Sequence, residues 1–173
     1  MTGLRRFIGE DSINHALRNF IKRYAFQGAP YPTSLDLVAC LRACTPDSLQ
    51  YMITDGFQKI VVYDNKITDA KMVKNDDGYT VNVTLNIKKL NADGAGKETA
   101  VACNDYMEIA VYKDKNTILQ SVRYKLKDGV NKVSIPVGAK PYKVILDPHF
   151  MLIDKKADDN EMRLETEEKV TKK

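Results

Sequence analysis

Two hydrophobic periods divide this chain. Over residues 1–56 the apolar positions recur at helical spacing; over the next hundred they alternate. Ile13, Ala16, Leu17, Phe20, Ile21 and Tyr24 follow i, i+3, i+4, i+7, i+8, i+11, one apolar stripe of an α-helix. Glu10 and Asp11 sit at its start and Lys22 and Arg23 at its end, signs that suit the helix dipole. Met1, Leu4, Phe7 and Ile8 extend helical spacing upstream to a break at Gly9. The run Gln27-Gly28-Ala29-Pro30-Tyr31-Pro32 interrupts it. A further helix is expected from Thr33 or Ser34 to about Ala43, with Leu37, Leu41 and Cys44 inward. Another should follow Thr45 as N-cap and Pro46 in the first turn, with Leu49, Met52 and Ile53 inward and Gly56 at its close.

Strand patterns follow. Phe57–Tyr63 is rich in β-branched residues, and Asn75-Asp76-Asp77-Gly78 reads as a hairpin turn. Tyr79, Val81, Val83, Leu85 and Ile87 then alternate with Thr80, Asn82, Thr84, Asn86 and Lys88, a half-buried strand. Asn91–Gly96 reads as a loop. Further strands are expected at Thr99–Cys103, Tyr106–Lys113, Ile118–Leu126, Lys132–Val137 and Tyr142–Leu146. No helical pattern separates them, which argues against a parallel sheet. The expectation is an α+β chain: the end of an α-helical domain over 1–56, an antiparallel immunoglobulin-like β-sandwich over 57–154, and a charged, disordered tail over 155–173.

Composition narrows the classes. The chain is 43% apolar and 29% charged, which excludes a disordered, collagen-like or disulfide-dense chain. Its longest apolar runs, such as Ile60–Tyr63 and Phe150–Ile153, fall far short of the ~20 residues that a spanning helix needs. No basic stretch followed by an apolar core opens the chain, so no signal peptide is expected. The net charge of +4 is spread out, and Arg18, Lys22 and Arg23 are better explained by the helix dipole than by phosphate binding. Lys88 and Lys89 read as a solvated face or edge. Cys40, Cys44 and Cys103 read as buried free thiols, which favours a reducing compartment.

Candidate chemistry is sparse. H-E-x-x-H, G-x-S-x-G and G-x-x-x-x-G-K are missing from the sequence. His15 falls in the polar part of a helix and His149 in a turn after Asp147-Pro148. Asp76-Asp77 is accounted for by turn chemistry, Asp158-Asp159 offers too few oxygens for calcium, and Asp93 to Lys97 is a loop. Asp105-Tyr106 beside Cys103 reads as the start of a strand. No catalytic, cofactor-binding or metal-ligating residue is assigned, and neither nucleic acid nor membrane insertion is expected.

Several stretches carry a resemblance. Leu4–Asp11 through Ala16–Phe20, then Lys22–Phe26 and Pro30–Leu37, resemble the late helical region of the zinc aminopeptidases related to aminopeptidase N. Thr45–Tyr51, Asp147–Asp154 and Asp158-Asp159-Asn160 are similar to a bacterial subgroup in which that domain is fused to an ABC-transporter-type permease. The resemblance spans about residues 1–160. It implies a segment downstream of the metal helix, whose H-E-x-x-H, later Glu and intermediate-stabilising tyrosine have no counterpart here. Met1 would then be an internal methionine, an engineered boundary or the start of a broken frame. The implied role is a non-catalytic C-terminal part of a membrane protein, packing on missing catalytic and transmembrane parts. The alternative is an independent β-sandwich that binds proteins or peptides. An inner-membrane parent would be compatible with an extracytoplasmic position; the three unpaired thiols point the other way. Helices without their natural neighbours should leave an apolar patch that drives self-association.

Overall fold

Gly9 separates the first two helices: at φ 90 it ends α1 (Thr2–Ile8) and precedes α2 (Glu10–Tyr24). The computed structural model describes residues 2–166, so Met1 and the terminal run of Glu167-Glu168-Lys169 and beyond lie outside the described residues. Two further helices follow, α3 (Ser34–Ala43) and α4 (Gln50–Phe57), the latter entered through a 3-10 turn at Asp47–Leu49. Thr45 does not open that last helix. Its hydroxyl donates to the Leu41 carbonyl at 2.7 Å, satisfying an end-of-helix acceptor of α3 instead. Nor does Gly56 close α4, which runs one residue beyond it. The chain divides into two compact units after Val61, within β1 (Ile60–Tyr63), rather than at Gly56.

The helical unit has a small core of Leu4, Ile13, Ala16, Val38, Leu41 and Ile53, flanked by Ile8, Leu17, Leu37, Cys44 and Met52. The α2 stripe is thus only half used. Its first turns are buried, whereas Ile21 is exposed. Of α1, Leu4 belongs to this core and Ile8 packs against it, half-buried.

The second unit has the sandwich-like architecture expected. One four-stranded sheet has the order β11-β2-β3-β8, built from β2 (Lys66–Asn75), β3 (Gly78–Ile87), β8 (Gly129–Val137) and β11 (Glu165–Thr166). The other has the order β10-β9-β6-β7, from β6 (Asn104–Tyr112), β7 (Ile118–Lys127), β9 (Lys143–Leu146) and β10 (Glu161–Arg163). A third, smaller sheet orders β1-β4-β5, with β4 (Lys89–Ala92) and β5 (Glu98–Val101). The pairs β2–β3, β3–β8, β4–β5, β6–β7, β6–β9 and β9–β10 are antiparallel and β11 runs parallel to β2; among the described residues no α-helix lies between strands.

Val81, Val83, Leu85 and Ile87 are buried, as their alternation requires; Val81 pairs with the buried Ile135 of β8, and Leu85, Val83 and Val81 pair with the buried Ile67, Ala70 and Met72 of β2. In β2 the buried positions change phase between Ile67 and Ala70, because the register slips at Thr68. A bulge adds one residue and so restores the inward face. At Gly78 any Cβ would come 2.5 Å from the Val137 carbonyl oxygen, so the close β3–β8 approach demands glycine there.

The charged stretch from 155 is not a uniform tail. Ala157–Asn160 forms a 3-10 turn, and β10 pairs with β9, with Lys143 Nζ 3.0 Å from Glu161 Oε2. Arg163 lies over the Tyr142 ring at 5.6 Å, a contact that offsets the polar composition of the strand.

Candidate functional site

Three places in the molecule concentrate chemistry or unsatisfied surface. The first lies at one end of α2 and α3. The Asp36 carboxylate accepts the Thr33 backbone N–H at 2.7 Å and the Thr33 hydroxyl at 2.9 Å, a cap for the first turn of α3. Its other oxygen accepts the Tyr24 hydroxyl at 2.9 Å. The Thr33 N–H and hydroxyl, then Tyr24, hold the Asp36 pKa below the ordinary carboxylate range. The same bond raises that of Tyr24. Around this junction Ile21, Phe26, Tyr31 and Leu35 are all exposed. Phe26 is fully exposed and holds φ 62, a left-handed conformation costly for a residue with a Cβ.

The second place is a cleft of about 610 Å³ in the sandwich unit, lined by residues of the 145–163 stretch. The loop after β9 shapes it. Asp147 (φ 51) accepts the N–H groups of Met151 at 3.0 Å and Leu152 at 2.7 Å. Burial pushes the Asp147 carboxyl upward despite those bonds. Phe150, at φ 50, is exposed on the rim, and Asn160 is buried with its amide oxygen lacking a hydrogen-bond partner. Beside this loop His149 Nε2 stands 3.8 Å from the buried Glu108 Oε1, which also accepts the Ser121 hydroxyl.

The third is wholly interior. Lys89 Nζ lies 2.7 Å from Asp105 Oδ2, both side chains at 7% exposure, and the Tyr63 hydroxyl donates to the same oxygen at 2.8 Å. Burial first, and then the Asp105 charge, push the neighbouring Cys103 thiol up to about 12. This corrects the reading of Lys88 and Lys89 as one solvated face. Lys88 is on the surface, 3.7 Å from Asp64, whereas Lys89 is buried. Asp105 lies at the start of β6, as expected, next to Asn104, and its carboxylate also faces a buried ammonium. Tyr63 and Lys89 were invisible as partners because strand pairing, not spacing, assembles them.

The other singled-out residues are scattered. His15 is exposed, on an open groove with Asp11, Arg18 and Cys44. Cys40, Cys44 and Cys103 are free; the first two are half-buried, so the expectation of buried thiols holds fully for Cys103 alone. Asp76 and Asp77 form the two-residue β2–β3 turn. Asp93 accepts the N–H groups of Ala95 and Lys97, closing its own loop. Asp158 borders the cleft, and Lys156 Nζ lies 3.9 Å from Asp159. Among the described residues no group of three or more His, Cys, Asp or Glu is placed to hold a metal ion. No protein-family model and no curated protein matches this chain.

Proposed function

We propose that the chain is a non-catalytic interaction module, the C-terminal part of an aminopeptidase-like, permease-fused membrane protein, and that its helical unit packs on the preceding catalytic part. The observation that supports this most directly is Phe26, fully exposed while held at φ 62. A folded chain gains nothing by placing an aromatic ring in water on strained backbone; a ring that enters a partner offsets the strain by burial. Ile21, Tyr31 and Leu35 would supply the apolar surround. The metal-binding and proton-transferring groups of the reaction would belong to the preceding part, and this chain would supply packing.

The test is the natural reading frame upstream of Met1, together with a fluorogenic aminoacyl assay. An in-frame H-E-x-x-H, with zinc-dependent turnover only when that upstream part is present, is the expected result. Turnover by this chain alone, abolished by a chelator, would overturn it.

A second reading, an independent peptide-binding sandwich, is favoured by the cleft beside β9. There a buried amide oxygen of Asn160 is available to a donor. Binding of peptides by the chain alone, with no H-E-x-x-H upstream, would select it.

A further inference from the structure

We propose that Lys89 and Asp105 form an intramolecular isopeptide bond, joining the Lys89 side-chain nitrogen to the Asp105 side-chain carbonyl carbon and so cross-linking β4 to β6.

The geometry carries the proposal. Lys89 Nζ and Asp105 Oδ2 are 2.7 Å apart. At ordinary hydrogen-bond angles this places the nitrogen about 3.5 Å from the carboxyl carbon, the separation of a near-attack arrangement. Both side chains are almost fully withdrawn from water at 7% exposure. Strand pairing fixes the backbone at each end: Lys89 pairs with Val101 in β5, and Asp105 with Leu126 in β7. The two groups therefore meet through the fold, not by chance excursions of long side chains.

An ion pair out of water carries a desolvation cost that its mutual attraction only partly repays. The proposed reaction begins with transfer of one proton from the ammonium to the carboxylate, which leaves a neutral amine against a carboxylic acid. A desolvated lysine amine is a competent nucleophile. The Tyr63 hydroxyl, donating to Oδ2 at 2.8 Å, is placed to stabilise negative charge on that oxygen as the carbon becomes tetrahedral. The buried Cys103 thiol stays protonated and does not compete for the carbon.

The step balances without a co-reactant. Rotation about the Asp105 Cβ–Cγ bond turns the carboxyl face to the amine, and the nitrogen–carbon bond forms. One carboxyl oxygen leaves as water, carrying two of the three protons of the original ammonium; the third stays on the amide nitrogen. Nothing is oxidised or reduced. The product is a neutral amide whose N–H and C=O occupy the place of the former ion pair, and water has little access to reverse the reaction.

Intact-mass spectrometry of the purified, folded chain tests this, because the product is lighter than the sequence by one water. The expected result is that mass, with a branched tryptic peptide joining residues 89–97 to residues 98–113. A Lys89→Arg variant keeps the positive charge but offers a far weaker nucleophile, and should show its full sequence mass. Tyr63→Phe should form the bond at least tenfold more slowly in a refolding time course. The full sequence mass in wild-type protein that melts cooperatively, unchanged after prolonged incubation, would overturn the proposal and leave Lys89–Asp105 as a buried ion pair only.

Discussion

Tyr24 and Asp36 join two helices through one hydrogen bond: the phenol donates at 2.9 Å to the carboxylate that caps the next helix. The carboxylate is held low by this bond and by Thr33, and the phenol is raised by it. Both shifts give the charged cap and the neutral phenol as the states that folding favours. Asp36, lowered on folding, adds stability above the ordinary carboxylate pKa of about 3.9, lost as pH falls through its folded value. Tyr24, raised, adds stability below about 10, lost as pH rises through its own folded value. Side-chain NMR titration of a Tyr24→Phe variant should show the Asp36 value moving part of the way back up; an unmoved value would mean that Thr33 alone sets it.

Removing Asp105 leaves an ammonium without its buried carboxylate. Asp105→Ala should destabilise the sandwich unit by about 3–5 kcal/mol in urea unfolding, the cost of an uncompensated buried charge. Lys89→Met with Asp105→Leu should recover the part of that loss that comes from the unpaired buried charge, but not the part that comes from the missing cross-link between β4 and β6. A single variant as stable as the parent would show that water reaches the site.

Cys103 should be chemically silent in the folded chain. Its thiol is buried and pushed to about 12, whereas Cys40 and Cys44 are half-buried. Iodoacetamide at pH 8 should modify Cys40 and Cys44 first, and Cys103 only after denaturant is added, as read by peptide mass. Early labelling of Cys103 would contradict the packing of β6 against β7 at that end.

Asp147 runs opposite to Asp36. Burial raises it, so its folded form holds a proton more tightly than its unfolded form does. Its contribution is largest below the ordinary carboxylate pKa and declines as pH rises from there through the raised folded value. Asp147→Ala should cost about 1–3 kcal/mol by leaving the Met151 and Leu152 N–H groups without their acceptor. Thermal melts across pH 3–8 check both, the parent losing its pH slope at this site when Asp147 is replaced.

How far the chain could be read from its sequence follows from how local each signal is. The alternation from Tyr79 to Ile87 exposed β3, since one residue per face is all that a half-buried strand needs. The neighbouring β2 went unread because its bulge at Thr68 breaks the same period. β10 was hidden by composition: Glu161 and Arg163 look solvated until Lys143 and Tyr142 meet them across strands. In α2 the apolar stripe correctly marked the helix, yet spacing does not say where the neighbours end, and Ile21 lies past them. Lys89 and Asp105 are 16 residues apart with no motif between them, so their pairing belongs to topology alone.

Phe26 and its exposed neighbours form the proposed interface. Phe26→Asn relieves left-handed strain that asparagine tolerates, and should stabilise the isolated chain by up to about 1 kcal/mol. The same change should weaken binding to a partner that buries the ring. The most direct measurement is the affinity between this chain and the upstream catalytic part proposed for it, by titration calorimetry, for the parent, Phe26→Asn and Ile21→Asp. The expected result is a complex that both variants weaken at least tenfold, while Phe26→Asn alone melts higher than the parent. No complex with the parent chain, or one that neither substitution changes, would contradict it.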